Sequence, residues 1–394
     1  MDTQEASYDV AIVGAGIAGC TAALLYARAG LKVALLERAA SLDDYKPLCT
    51  HYLQPGAVPV LRELSLYEAV LAEGGLHSSM HIRSPWGAFT VPHGRGDRGL
   101  NVRRSLLDPL LHRAVQRQSG VDLMLGVRPA ELVRQGSGIG GVVARNDQGD
   151  SLTLHARLVV AADGRSSSMV RLADLETRET RNERFSFFSY YRGLHRYPDN
   201  NVQVWLADGG QSYVAAFPND RDLTLVSCYV PLSRYDQWRG RAQQRYEEMV
   251  ARQPEGPDLS EGVQVTPLRG MRRMPSLVRR NRLPGLALVG DAAMAVDPLA
   301  GVGCAWAFQS AQLLARSTAP VLARDAGRAR LAQALRVYRW RHALQFGPQY
   351  FAITRFSLAK PYNPLTRLTL RLAGGLFRDP GAMESLSVAS SPRA

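Results

Sequence analysis

The stretch Tyr8-Asp9-Val10-Ala11-Ile12-Val13-Gly14-Ala15-Gly16-Ile17-Ala18-Gly19 decides how the chain is read. Its first half is a buried strand, and a Gly-x-Gly-x-x-Gly turn follows without a spacer. A helix is expected from there to about Gly30. Lys32-Val33-Ala34-Leu35-Leu36 then gives a second strand that ends in Glu37-Arg38. Strand, glycine turn, helix, strand and terminal acid, in that order, make a βαβ dinucleotide unit. Gly14 permits the tight turn, Gly16 a close approach of backbone to a pyrophosphate, and Gly19 the packing of helix on strand. Ile17 and Ala18 lie in the first helical turn, whose unpaired N–H groups face the phosphates. Glu37 sits where a carboxylate accepts the ribose hydroxyls of an adenosine, with Arg38 beside it. The motif by itself leaves FAD and NAD open.

The totals bound the alternatives. A chain of 394 residues with 46% apolar and 21% charged residues has room for two substructures and the balance of a globular enzyme. No run of eighteen apolar residues occurs, so no membrane-spanning helix is expected. The start, Met1-Asp2-Thr3-Gln4-Glu5, lacks the basic-then-apolar order of a leader. Cys20, Cys49, Cys228 and Cys304 form no CxxC pair. That spacing argues against zinc and against a disulfide framework, and for a reducing cytoplasm. Cys20 and Cys304 are read as packing residues of buried helices. The net charge of +13 comes almost wholly from arginine, since Lys32, Lys46 and Lys360 are the only lysines. The arginines are dispersed and no nucleic-acid motif accompanies them, so nucleic acid is not expected as a partner.

Further along, 39–50 is polar, Gln54 is either a cofactor contact or a surface residue, and Ala57 to Ala72 has a helical pattern. Leu76 to Pro92 reads as a hairpin around Ser84-Pro85-Trp86-Gly87. His77, His81 and His93 lie in or beside it, without the carboxylate or cysteine that would complete a metal set. Arg103-Arg104 precede a helix with Ser105 as the expected N-cap and Asp108 in the first turn. The arginine pair would clamp a phosphate or ribityl chain, or be solvated. Val121 to Val143 is a β-meander with turns at Gln135–Gly138 and Asn146–Gly149, and the strand Leu158 to Ala162 runs into Asp163-Gly164.

From Arg184 to about Met274 the aromatics fall in strand-like alternation, which predicts an antiparallel sheet with an aromatic side over a ligand cavity. Tyr190, Tyr191, Arg192 and Tyr213 are its candidate substrate contacts. Ser233 to Arg252 reads as a polar helix and Gly262 to Met271 as one more strand. Leu283 to Val289 is the last core strand, and it ends in Gly290-Asp291. Helices are expected over Cys304 to Leu322 and Ala326 to Phe346. Phe351 to Phe377 is either a basic amphipathic segment at a membrane surface or a segment folded back on its own domain.

Gly14-x-Gly16-x-x-Gly19, Asp163-Gly164, and Gly290-Asp291 with Asp297-Pro298 and Gly301-Val302-Gly303 stand in one order. The ordered triple resembles the FAD-dependent monooxygenases of the p-hydroxybenzoate hydroxylase fold, over the chain to about residue 345. The resemblance implies a discontinuous α/β FAD-binding domain (1–75, 100–182 and 276–325), Rossmann-like, with a β-meander. It also implies an antiparallel-sheet substrate domain (76–99 and 183–275) and a C-terminal helical region (326–394).

By the same resemblance Glu37 takes the adenosine ribose, and Arg104 contacts the flavin side. Asp163-Gly164 serves FAD and nicotinamide binding. Asp291 reaches the ribityl or pyrophosphate oxygens, Pro298 lies beside the reactive edge of the isoalloxazine, and Gly301 to Gly303 open a helix toward its pyrimidine end. No side chain is assigned as a catalytic acid or base. The implied activity is hydroxylation or epoxidation of an apolar or aromatic small molecule in secondary metabolism, with NAD(P)H and O2, through a flavin C4a-hydroperoxide. Met294 stands where the family often has His. The run from Asp297 to Ser310 leans toward a subset with geranylgeranyl-reductase-like and natural-product tailoring enzymes, so an FAD-dependent reductase is the alternative, and a separate flavin-reducing partner is open. The Trp-rich signature and active-site Lys motif of flavin halogenases are absent.

Overall fold

The computed structural model describes residues 4–91, 97–298 and 301–376. His93 lies outside the described residues. The chain divides into two compact units. Of the described residues, one holds those to 74, in 102–181 and in 275–355; the other holds those in 75–101, 182–274 and 356–376.

The first unit is built on a seven-stranded sheet. Gln4–Val13 is central, with Val33–Glu37 parallel on one side and Ser151–Ala161 parallel on the other. Val121–Leu125 extends the sheet beyond Val33–Glu37, and Leu286–Leu288 pairs parallel with Ser151–Ala161. Strand alternation gives the sheet two apolar faces. Ala11, Val13, Ala34 and Leu36 join the core cluster that includes Val142, Ala144, Met169 and Val170. Val10, Ile12, Val33 and Leu35 are equally buried and point to the opposite face. Helix Ile17–Arg28 packs beside helix Gly303–Ala323, where the Tyr26 hydroxyl meets Thr318 Oγ1 at 2.6 Å. The meander is present as Val127–Gln135, Gly138–Asn146 and Ser151–Ala161, in antiparallel register.

The second unit carries an eight-stranded sheet. Arg184–Arg192, Ser212–Pro218, Leu223–Pro231 and Val202–Ala207 form its antiparallel centre. The hairpin Met80–Ser84/Gly87–Thr90 joins its edge through a parallel pairing with Val202–Ala207.

Several elements differ from the sequence reading, each for a local reason. The helix expected over Ala57 to Ala72 is two short helices, Val58–Glu63 and Tyr67–Ala72, interrupted at Ser65, whose φ of 56° is left-handed. The helix expected over Ser233 to Arg252 breaks at Gly240, φ 73°, into Tyr235–Trp238 and Ala242–Ala251. The strand from Gly262 to Met271 is interrupted around Pro267, leaving Val263–Gln264 and Arg269–Met271. Conversely, the last long helix runs through Pro348 to Phe356, ten residues past the expected end. Of the described residues from 326 on, those to 355 fall in the first unit and 356–376 in the second. In the second unit, helix Pro364–Leu376 lies against strand Gly87–Thr90, and Leu365, Leu368 and Leu372 stay exposed.

Candidate active site

The glycine turn is dictated by packing at two of its positions. Gly14 has φ +100°, and a Cβ there would stand 2.7 Å from the Ala162 carbonyl oxygen and 2.8 Å from Asp163 Cα. A Cβ on Gly19 would lie 1.8 Å from the Gly14 carbonyl oxygen. Gly16 is different. Its φ of −70° and ψ of −173° suit any residue, and a Cβ there would meet no atom of the chain within 4 Å. No described residue fills this space, so the backbone here is open to close approach by a group outside the chain. That is what a pyrophosphate at a helix N-terminus needs. The open backbone at Gly16 suits a dinucleotide.

The three motifs, far apart in the chain, meet around this turn. Gly14 touches the Asp163 backbone, as above. A Cβ on Gly290 would stand 3.1 Å from Ala18 Cβ and 3.6 Å from Ala307 Cβ, so Gly290-Asp291 abuts both helices. The Gly290 N–H donates to Ser310 Oγ at 2.8 Å. Asp291 Oδ1 would lie 3.9 Å from a Cβ on Gly303, and Lys46 Nζ is 3.4 Å from Asp291 Oδ2. A half-buried carboxylate thus stands at the N-terminus of a 21-residue helix, where a further anion-binding set of N–H groups is available. The Gly301 N–H donates to the Pro298 carbonyl at 2.9 Å, and Val302 is buried.

Glu37 stands at the strand end as expected, and its carboxylate also braces the turn. Oε2 accepts the Ala15 N–H at 2.7 Å and Oε1 the Ala39 N–H at 3.0 Å. Arg38 is exposed. Asp163 is committed within the chain. Ser167 Oγ, Ser168 Oγ and the Met169 N–H all donate to it, which caps helix Ser168–Leu172.

Arg104 is the first residue of helix Arg104–Arg117, with Arg103 in the N-cap position, so Ser105 is not the cap. The guanidinium is buried and neither solvated nor free: Nε donates to Asp108 Oδ1 at 2.6 Å. Burial pulls its pKa down, but the Asp108 carboxylate, with Cys304 and Cys49 nearby, raises it above the ordinary arginine value. The Arg104 N–H donates to His51 Nδ1 at 3.1 Å.

Sequence reasoning missed three supporting residues. Arg165 donates to the carbonyls of Pro275 and, at 2.8 Å, Val296. Arg279 donates to the carbonyls of Asp291 at 3.0 Å, Ala292 at 3.1 Å and Arg165. Burial lowers the Arg279 pKa, and the Asp163 carboxylate opposes that. The two arginines brace the Gly-Asp turn from the Asp163-Gly164 side. His112, buried on helix Arg104–Arg117, has ring nitrogens 2.9 Å from the Ala15 carbonyl and 2.8 Å from that of Leu42. The two arginines are indistinguishable in sequence from the dispersed arginines, and the histidine from an ordinary amphipathic helix position.

A family model described as an FAD binding domain matches residues 7–341. The chain belongs to this family. It is a flavin-dependent oxidoreductase with the p-hydroxybenzoate hydroxylase-like fold. It is 29% identical to 6-methylpretetramide 4-monooxygenase of Streptomyces rimosus, covering 77% of this chain and 73% of the relative. It is 27% identical to digeranylgeranylglycerophospholipid reductase 1 of Methanococcoides burtonii, over 81% and 76%. In fold the flavoprotein resembles the myxobacterial chondrochloren halogenase CndH, with a TM-score of 0.76, 23% identity and coverage of 94% and 91%. It also resembles a geranylgeranyl bacteriochlorophyll reductase-like protein of Thermoplasma acidophilum, with a TM-score of 0.74, 20% identity and coverage of 97% and 96%.

The candidate substrate residues of the flavoprotein sit in the second unit and do not share one surface. Tyr190 and Tyr191 are neighbours on strand Arg184–Arg192 and point to opposite faces. Tyr191 is a core residue, packed with Trp205, Trp238 and Tyr246. Burial raises its pKa, with Tyr246 lowering it in part. Tyr213 is opposite Tyr229, and Tyr229 opposite Ser186, which puts Tyr213, Tyr229 and Tyr190 on the other face. Tyr213 stacks on Tyr229 with centroids 4.2 Å apart. The fully buried Arg184 adjoins this pair, its guanidinium 5.6 Å from the Tyr213 ring and 4.2 Å from that of Phe356. Phe188 and Tyr190 remain half-buried on that face, and Arg192 is exposed. Among the described residues no cluster of His, Cys, Asp or Glu could hold a metal ion, and no helix is long and apolar enough to cross a membrane.

Proposed function

We propose that this flavoprotein is a monooxygenase that uses NAD(P)H and O2 to hydroxylate or epoxidise an apolar or aromatic small organic molecule. The observation that carries the reading is the match along three quarters of the chain to a monooxygenase whose substrate is named as 6-methylpretetramide. The sheet face that presents Phe188 and Tyr190 beside the Tyr213–Tyr229 stack supports it, because flat apolar rings are what such a face receives.

FAD, when bound, supplies the redox chemistry, taking a hydride from the nicotinamide and delivering electrons to O2. The chain supplies position and field. The N–H groups after Gly16 would hold the FAD pyrophosphate, Glu37 would take the adenosine ribose, Asp291 would orient the ribityl hydroxyls, and Pro298 would contact the flavin. The N-terminus of helix Gly303–Ala323 would stabilise negative charge on the reduced flavin. Arg104 acts through Asp108, whose carboxylate accepts the Lys46 N–H at 3.0 Å, and Asp163 through the Met169 N–H that it accepts at 3.0 Å.

The alternative is an FAD-dependent reductase of an isoprenoid double bond, favoured by the similarity to the Methanococcoides burtonii reductase and by Met294 in place of His. One experiment separates the two. The holoprotein is mixed with NADPH without oxygen, the visible flavin band is followed, and air is then admitted with candidate aromatic substrates. Bleaching, return of the band in air, and 18O2-derived oxygen in the product are expected. Substrate reduction that proceeds fully without oxygen would replace this reading with the reductase.

A further inference from the structure

Cys49 and Cys304 are 255 residues apart in the chain, and their sulfurs are 3.7 Å apart. Neither lies in the packed core: both are half-buried, whereas Cys20 and Cys228 are fully buried. Cys304 is therefore not the packing residue that its helical setting implies. It occupies the first turn of the 21-residue helix Gly303–Ala323. Cys49 lies in the loop between Glu37 and Tyr52, and its Sγ accepts the His51 N–H at 3.2 Å. The buried Arg104 stands close enough to act on both sulfurs.

We infer that Cys49 and Cys304 form a redox-modification site, a dithiol that a hydroperoxide converts to a disulfide. A disulfide needs its sulfurs about 2 Å apart, so closure requires them to approach by roughly 1.7 Å. The chemistry balances in two steps. The Cys49 thiolate attacks one oxygen of hydrogen peroxide, the O–O bond breaks, and water leaves after taking up a proton, which gives a sulfenic acid. Cys304 sulfur then displaces the hydroxyl of that sulfenic acid as a second water and forms the S–S bond. In sum two thiols and one peroxide give one disulfide and two waters.

The surroundings favour Cys49 as the attacking sulfur. The hydrogen bond from Cys304 holds the Cys49 thiol well below its ordinary range against the effect of burial, and His51 and Arg104 add to it. The shared hydrogen bond, together with burial, pushes Cys304 up. The bond would tie the loop that carries Lys46, the residue facing Asp291, to the helix that Asp291 faces. The site is thus placed to register peroxide formed at the flavin end of the cradle, although the thiol chemistry itself does not depend on which reaction the enzyme performs.

The test uses the full-length holoprotein and added hydrogen peroxide. Thiols are alkylated under denaturing conditions before and after treatment, and intact and peptide masses are recorded. Before treatment four alkylations are expected. Afterwards two are expected, together with a dithiothreitol-reversible crosslink between the peptides that contain Cys49 and Cys304. In Cys304→Ser the sulfenic acid has no partner, so a 16 Da adduct on Cys49 should replace the crosslink. Four free thiols after treatment, or a crosslink through Cys20 or Cys228, would overturn the inference in the wild-type protein, whatever the variant does.

Discussion

Gly16 and Gly14 sit two residues apart and should respond oppositely to the same methyl group. Gly16→Ala meets open space in the chain, so the apoprotein should keep its stability within about 0.5 kcal/mol. FAD affinity should fall at least roughly tenfold, about 1.4 kcal/mol. Gly14→Ala combines left-handed backbone with a clash on Ala162 and Asp163 and should cost about 2–4 kcal/mol of stability. Apoprotein denaturation with a fluorescence titration of FAD checks both. Equal stability losses in the two variants would remove the argument that Gly16 serves a ligand.

His342 gives a pH prediction at the same scale. It is half-buried with its ring 5.7 Å from that of Tyr338 and 4.7 Å from that of Phe346, and burial pushes its pKa down to about 4 from 6.5. The unfolded chain binds this proton more tightly than the folded one. Stability tied to His342 is therefore complete above about pH 6.5 and is lost as pH falls from there toward 4. His342→Phe should flatten that part of the stability–pH curve. An unchanged slope between pH 6.5 and 4 would rule out His342 as its source.

Elements at the site are held by the buried Arg104 and the half-buried Arg279, and that is where the next predictions belong. Helix Arg104–Arg117 carries a buried i,i+4 pair in its first turn. Asp108→Ala leaves the guanidinium unpaired and should cost about 3–5 kcal/mol, while the double change Arg104→Met/Asp108→Leu should cost clearly less than either single change. A double-mutant cycle in denaturant reads this directly. The Gly290–Ala292 turn depends on Arg279, whose loss leaves several carbonyls without their donor. Arg279→Met should cost about 2–4 kcal/mol and weaken FAD binding. Arg279→Lys should recover part of the stability but not the fork of contacts. Unaltered FAD affinity in Arg279→Met would show that the turn is held by other means.

At the scale of the molecule, cofactor and fold should be coupled. A ligand that binds only the native state adds stability by mass action, about 2.7 kcal/mol at a hundredfold excess over Kd. FAD should therefore raise the unfolding temperature of the wild-type apoprotein by several degrees, and that of Gly16→Ala by at most about half as much. Both units are assembled from separated stretches of chain, so neither can be cut out as a contiguous fragment, and the experiment is done on the whole chain.

The sequence by itself determined the parts that depend on short-range rules. Strand–glycine turn–helix–strand, the terminal Glu37, the meander and the ordered triple of motifs are local patterns of period, spacing and residue type. These need no knowledge of distant neighbours. What only the tertiary structure decided is which side chains distant in sequence meet. It set Arg165 against the carbonyl of Val296 and Arg279 behind the Gly-Asp turn. It also put Tyr26 against Thr318 and brought Cys49 within 3.7 Å of Cys304. An arginine or cysteine has the same local appearance whether it is solvated, packed or paired. Its partner is set by the register of strands and the docking of helices, through contacts hundreds of residues apart that no window of sequence contains.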